Sequence, residues 1–416
     1  MKPLLGGTVA FTMGNSLLGV VLPLKMEAAD YPVALTGIVM AAYFLGLGLG
    51  GFRAKRVIMR IGHIRAFAVF AALTSAACLG YAFFFAPAAW VILRVINGFC
   101  IAGMTTAIES WLNDRSSNQT RGRVLGVYMV SFYLAIAVGQ TLVNVAPLSG
   151  DTHLMISAAL IGLSLIPIAL TKLGEPDLGE LRVLGVKRLF AASRVGVIGA
   201  GVAGMLVGSF AAVGIVFARQ VGLSVAEAAM FMSTVVLGGL LFQVPVGMLA
   251  DRFDRRIVMS FILIGVGTSW ILLSNLISTG VPLLPMLGMA LVFGAANNSV
   301  YPLCVAQTFD RLDRKYYVAA SGRLLMIYAI GATTGPLFAS TLMSIYGPYS
   351  FFLFESAIAI TYAVFVLIAI RARPALPQEN AREKFVQVPD ISPVAMRLDP
   401  RTEPDKPDRD TTTKAE

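Results

Sequence analysis

Few side chains in this sequence combine a charge with a deep position in an apolar stretch, and those few carry the chemistry. Arg94 lies in the run 88–112, whose only other charge is Glu109. A guanidinium presents a rigid fork of donors that matches a carboxylate or phosphate, and a carboxyl offers a proton site. On a helix entered near residue 88, Arg94 lies about 9 Å along the axis, too deep for an ordinary surface arginine. Arg94, Gly98, Ile101, Thr105 and Glu109 recur near one helical face, which is expected to look at protein or a water-filled path. The apolar runs before it contain no Asp or Glu. Its compensation is therefore expected to be an incoming anion, a cage of backbone carbonyls or a hydrated cavity. Glu355, six residues into the last apolar run, is the other deep acid, and a structural partner is expected for it. Asn15, Asn97, Tyr128, Tyr133, Gln243, Asn297, Asn298, Tyr301 and Tyr328 complete the polar set inside apolar runs. Each alone is more often an interhelical hydrogen bond than a ligand contact.

A second concentration of charge is Gly247-Met248-Leu249-Ala250-Asp251-Arg252-Phe253-Asp254-Arg255-Arg256, between the apolar runs 227–249 and 257–277. Charge at a bilayer centre costs about 2.5–3.5 kcal/mol per residue on insertion scales, so this loop belongs at a membrane surface. Other chemistries find no residues. His63 falls in a loop and His153 near a helix end, and the three cysteines lie in apolar runs without metal-type spacing. Neither a nucleophile–base pair nor a metal cluster is visible, and no Gly-rich nucleotide loop with its Lys is present. No enzyme, cofactor or ATP-driven pump is expected. A channel would want a filter loop or a ring of charges.

The elements that position these residues are membrane helices. The chain is 57% hydrophobic and 13% charged, with mean hydropathy +0.76, far outside soluble norms. Twelve apolar spans are expected, near 4–24, 34–52, 65–85, 88–112, 123–146, 152–172, 192–218, 227–249, 257–277, 281–308, 320–343 and 348–370. The net charge of +10 falls in alternate loops, not in an aromatic-studded patch, which argues against nucleic acid. One set of loops holds Arg53 to Arg65, Arg115 to Arg123, Lys172 to Arg188, Arg252 to Arg256 and Arg311 to Lys315. The opposite loops offer only Lys25 and Arg219. The positive-inside rule then places both termini in the cytoplasm. The loop near 173–191 divides the spans six and six, and Gly122-Arg123-Val124-Leu125-Gly126-Val127-Tyr128 is echoed 200 residues later by Gly322-Arg323-Leu324-Leu325-Met326-Ile327-Tyr328.

With these residues in view the sequence resembles the major facilitator superfamily. Gly247, Asp251, Arg252 and the Arg255-Arg256 pair resemble its signature loop between the second and third helices of each half, with Asp254 where the family has a second Gly. The first-half counterpart, Gly51 through Arg65, keeps Arg60, Gly62 and Arg65 but has Lys55 where the family has Asp, which leaves Asp251 to carry the charge relay. Arg94-Val95-Ile96-Asn97-Gly98 resembles the family's arginine motif in the fourth helix. Glu109, with Arg121-Gly122-Arg123 and Arg323, looks like the inner-gate lock of sugar-porter relatives, at longer spacing. Gly331 to Pro336 resembles an antiporter Gly-Pro motif, although that motif belongs to helix five, where this chain has Gly139-Gln140. Glu109-Ser110-Trp111-Leu112-Asn113 and Tyr301-Pro302 are similar to a bacterial branch assigned to transport mostly by resemblance.

The resemblance implies an all-α polytopic protein of the bacterial inner membrane, with twelve helices in two pseudo-symmetric halves and substrate held near the midplane between them. The implied units are 1–173, a linker 174–191, and 192–373. The implied activity is secondary active transport of a small organic solute by alternating access, coupled to protons, in a monomer. An anion is one candidate cargo; a drug-type exporter or a non-transporting sensor on the same scaffold are the alternatives. Substrate and coupling residues are expected among Arg94, Asn97, Glu109, Asn15, Tyr128, Asn298, Tyr301 and Tyr328.

After Arg371 the composition turns to Pro, charge and Thr, with too few apolar residues for a core, and 374–416 is expected to be a disordered cytoplasmic tail. Truncation after Arg373 should therefore leave a correctly inserted protein with an unchanged melting temperature in detergent. Loss of insertion or stability on truncation would show that the tail docks on the helical body.

Overall fold

The computed structural model describes residues 1–117, 119–171, 176, 184–277, 283–313 and 316–372, with only the backbone of 272–277. The tail, most of the linker, and Lys172, Arg182, Arg314 and Lys315 lie outside the described residues. The described chain is helical throughout and has no strands, as expected where no water is available to satisfy backbone groups. The first half comprises α1 (Lys2–Ala28), α2 (Val33–Ile61), α3 (His63–Phe83), α4 (Pro87–Asp114), α5 (Arg121–Thr141) with a 3-10 turn Leu142–Val145, α6 (Thr152–Leu163) and α7 (Leu165–Ala169). A short linker helix, α8 (Val186–Ala192), precedes α9 (Arg194–Gln220), α10 (Val225–Arg252), α11 (Arg255–Ile277), α12 (Leu283–Asn297), α13 (Val300–Phe309), α14 (Tyr317–Tyr346) and α15 (Ser350–Ala372). Pairs α6/α7 and α12/α13 each make one broken span. Eleven described helical stretches are long and apolar enough to cross a membrane; α11, 23 residues long, is the twelfth span.

Local sequence explains several ends. Pro87 opens α4, where its missing N–H is harmless. Ser224 and Glu227 cap α10 reciprocally, with Ser224 N donating to Glu227 Oε2 at 2.8 Å and Glu227 N to Ser224 Oγ at 3.3 Å. Gly62 turns the chain from α2 into α3 at φ 85°, a conformation that a β-carbon would strain.

Lipid tails are as apolar as leucine, so helix association relies on close backbone approach at small residues. A β-carbon on Gly46 would meet the Val95 carbonyl, and one on Gly98 the Tyr43 carbonyl, so α2 and α4 cross backbone to backbone. The second half repeats the crossing between α10 and α12, where Gly238 faces the Leu291 carbonyl and Gly294 the Val235 carbonyl. Likewise Gly139 of α5 abuts the Met13 carbonyl, and Gly335 of α14 the Met205 carbonyl. Gly98 and Gly294 are 196 residues apart, as are Gly139 and Gly335. The 200-residue echo seen in sequence is therefore out of the packing register by four residues. Four residues are about one helical turn, which keeps the same face and hides the slip from a pattern search.

The two halves meet mainly where α14 packs on α2 and α10 on α5. At the face opposite the basic loops they are tied together. Ser233 Oγ donates to the Ala137 carbonyl at 3.0 Å, Arg219 pairs with Glu27 at 3.7 Å, and Gly37 lies directly under Ser340 and the Pro336 carbonyl. At the basic face Arg255, 1% exposed at its side chain, joins α11 to α13. Its Nη1 donates to the Ala306 carbonyl at 3.0 Å and to Asp310 Oδ1 at 2.5 Å.

Four outcomes follow from this packing. Gly98→Ala should destabilise the protein by about 1–3 kcal/mol, because a backbone carbonyl must shift to admit the methyl. Gly126→Ala, with nothing within 4 Å, should melt at or above the parent temperature. Arg255→Ala should cost about 1.5–3 kcal/mol by removing its charge-assisted hydrogen bonds to the Ala306 carbonyl and to Asp310. Exposed Arg252→Ala should change melting little.

Candidate functional site

A cavity of about 220 Å³ lies between the halves, lined from α1, α2, α4 and α5 on one side and α9, α10, α12 and α14 on the other. The first-half wall carries the polarity: Thr12, Asn15, Ser16, Tyr43, Arg94 and Gln140. The second-half wall is apolar over Val207, Phe210, Met232 and Val235, interrupted by Asn297, Asn298 and Tyr328. Among the described residues Arg94 is the only charged side chain on either wall.

Arg94 is 2% exposed. Its Nη1 donates to Asn97 Oδ1 at 3.3 Å, its Nη2 reaches Met40 Sδ at 3.0 Å, and its guanidinium carbon lies 5.3 Å from the centre of the Tyr43 ring. Tyr43 is held by Asn15, whose Nδ2 donates to the phenol oxygen at 3.2 Å. The Arg94 Nε has no hydrogen-bond partner. No carboxylate among the described residues pairs with Arg94, and its contacts are side chains rather than the carbonyl cage considered as one option. The cation–π contact stabilises such a group by about 0.5–2 kcal/mol, well short of compensating a buried charge.

The stripe that begins at Arg94 does not stay on the cavity. Only Arg94 and Ile101 of that series line it. Gly98 is spent on the α2 crossing, and Thr105 Oγ1 donates back to the Ile101 and Ala102 carbonyls at 3.0 Å. Fifteen residues at about 100° each leave Glu109 roughly 60° round the helix from Arg94. There Tyr128 donates to Glu109 Oε1 at 3.0 Å, sealed inside the first half. Tyr301 likewise misses the cavity and lies behind Tyr328, with ring centres 4.9 Å apart. Asn298 does reach it, its Nδ2 donating to the Gly294 carbonyl at 3.0 Å; its side chain lies over Gly239, where any β-carbon would displace it. Glu355, 1% exposed, has no hydrogen-bond partner on either carboxyl oxygen, so the structural partner expected for it is absent among the described residues.

The gate set divides by partner. Arg60, Arg65, Arg123 and Arg252 are exposed, Arg121 is buried, Gly62 makes the turn between α2 and α3, and Gly247 is buried in α10. Arg323 Nε donates to the Leu184 carbonyl at 3.3 Å, tying α14 to the linker. Asp254 departs from the motif usefully. It accepts from the Arg256 backbone N at 3.0 Å, capping α11, and grips the Arg256 guanidinium at 2.7 Å. Asp251 is 39% exposed at its side chain and only 3.7 Å from Arg255 Nη2, whereas the closer carboxylate is Asp310. Sequence reading missed Asp310, and also Met40, Tyr43 and Thr12 in the cavity. A polar residue inside an apolar run was the available signal for Thr12 and Tyr43; Met40 gave none.

The comparisons agree with this architecture. The family model described as Major Facilitator Superfamily matches residues 4–190 and 195–401. A Salmonella arizonae protein named as the uncharacterized MFS-type transporter YcaD is 27% identical over 371 residues, which are 88% of this chain and 95% of that one. Its namesake from Escherichia fergusonii is 26% identical over 366 residues, covering 88% and 94%. Among solved structures, the nucleoside transporter NupG superposes with a TM-score of 0.72 at 15% identity, covering 90% of this chain and all of that one. A D-xylose-proton symporter gives 0.67 at 15% identity, covering 88% and 95%. Twelve membrane helices in two packed halves around a central cavity, matched along both halves by one family model, make this chain a member of the major facilitator superfamily, a membrane transporter and not an enzyme.

Proposed function

We propose that the protein is a secondary carrier that moves a small organic anion by alternating access, coupled to protons. The observation that supports this reading is Arg94, a buried guanidinium on the wall of a cavity shared by both halves, with no carboxylate beside it among the described residues. A positive charge in that setting is stabilised by a cargo that brings the opposite charge, and the fork is turned between Asn97 and Tyr43, ready to be shared. Closure at one face and a basic cluster at the other suit a cavity exposed alternately to each side. In this reading Glu109, which shares α4 with Arg94 and accepts from Tyr128 of α5, is the proton-carrying group.

The basic loops and both termini face the cytoplasm of a bacterial cell, by the positive-inside rule. The working units are 1–173 and 192–373, joined by 174–191 and followed by a tail, and the carrier acts as a monomer. Asp251, Arg255 and Arg256 with Arg60, Arg65, Arg121, Arg123 and Arg323 form the inner gate.

The test is transport by purified protein in liposomes. Arg94→Ala should lower uptake of an anionic substrate by at least about tenfold, and Arg94→Lys should fail almost as badly, because a point charge does not reproduce a planar fork. If Lys instead keeps substantial activity and shifts the pH profile, Arg94 tunes a proton site. Near-parental activity in Arg94→Ala would return Arg94 to a packing role and overturn the proposal. No transport of any solute would favour a sensor on the same scaffold.

A further inference from the structure

The walls of the cavity define its cargo more narrowly than charge alone. We propose that the cargo is a single-ring aromatic monoanion with a hydrogen-bond donor at the end away from its negative charge. This rests on the reading of Arg94 as the anion anchor. Among the described residues one guanidinium and no other charged side chain line the cavity, so a second negative charge on the cargo would lie uncompensated. Aromatic rings face it from five helices of both halves, among them Phe11, Phe44, Phe132, Tyr133, Phe210 and Tyr328. Offset and edge contacts with such rings favour a flat π-face over a saturated body of equal size.

The donor is inferred from what the walls leave unfilled. Asn15 Oδ1 and Gln140 Oε1 in the first half and Asn297 Oδ1 in the second are buried acceptors without a partner, and all three residues line the cavity. A buried acceptor left empty is costly, and a site built to accept a hydrogen bond discriminates against a ligand that brings no donor. On the anion side Arg94 Nε is a donor still available. A carboxylate at Arg94 and a hydroxyl at Asn297 would join the two halves through the cargo, so binding and closure become one event. Size agrees: about 150 Å³ of apolar cavity admits benzene, and about 220 Å³ leaves room for a ring with small substituents.

The experiment is calorimetric titration of the full-length protein in detergent with five probes: benzoate, 4-hydroxybenzoate, cyclohexanecarboxylate, terephthalate and the neutral 4-hydroxybenzyl alcohol. 4-Hydroxybenzoate should bind at least about tenfold more tightly than benzoate, and benzoate more tightly than cyclohexanecarboxylate. The dianion and the neutral alcohol should bind weakest. Asn297→Leu should abolish the preference for 4-hydroxybenzoate over benzoate, so that the two bind with equal affinity. Equal affinities for the three monoanions, all lost in Arg94→Ala, would overturn the aromatic donor-bearing cargo and keep the anion anchor. Binding that ignores Arg94→Ala, tighter binding of the neutral alcohol, or no binding of any probe would overturn both. The probe series on the parent protein stands even if Asn297→Leu fails to fold.

Discussion

A guanidinium buried inside a bilayer-embedded fold, with no carboxylate beside it among the described residues, is the constraint on which the rest of the site depends. Water satisfies all five N–H groups of an arginine; here Asn97, Met40 and the Tyr43 ring stand in for part of that shell. These groups orient the charge without neutralising it. Asn15 then fixes Tyr43, so α1, α2 and α4 are held in register around one cation. A carboxylate in that circle would make a self-contained ion pair, stable and closed to cargo.

Helix approach supplies the room. Gly46, Gly98, Gly238 and Gly294 bring α2 onto α4 and α10 onto α12 at backbone distance, and the larger side chains are thereby turned toward the cavity and the lipid. The same crossings recur in both halves because each half solves the same packing problem with no hydrophobic drive between helices. The halves are nevertheless chemically unlike. Arg94 has Ala290 as its counterpart at the 196-residue offset, so charge resides in one half while the other contributes aromatic, aliphatic and amide groups. Two unlike walls can hold a cargo by its two unlike ends.

At the basic face a different division holds. Arg255 and Asp310 form a buried tie inside the second half, and Asp254 and Arg256 form another around the start of α11. Breaking either removes a charge-assisted hydrogen bond from a dry place, whereas the exposed Asp251 contact is of the kind that contributes little. The signature loop is thus anchored by its basic end, while its first acid, Asp251, is exposed at the surface.

The amino-acid sequence by itself determined the twelve spans, the division into halves, the family, and Arg94 as the residue of interest. Hydrocarbon forces every spanning segment to satisfy its own backbone, so length of apolar run and an isolated deep charge are local signals readable one residue at a time. Only the tertiary structure decided that Glu109 turns away from Arg94, that Asp310 rather than Asp251 holds Arg255 closest, that Glu355 lacks the partner expected of it among the described residues, and that α4 and α5 match α12 and α14 at an offset of 196 residues. These depend on which backbones approach closely and how far a helix rotates over several turns. A four-residue slip or a 60° drift leaves the apolar pattern almost unchanged while moving a side chain from a cavity into a packed wall.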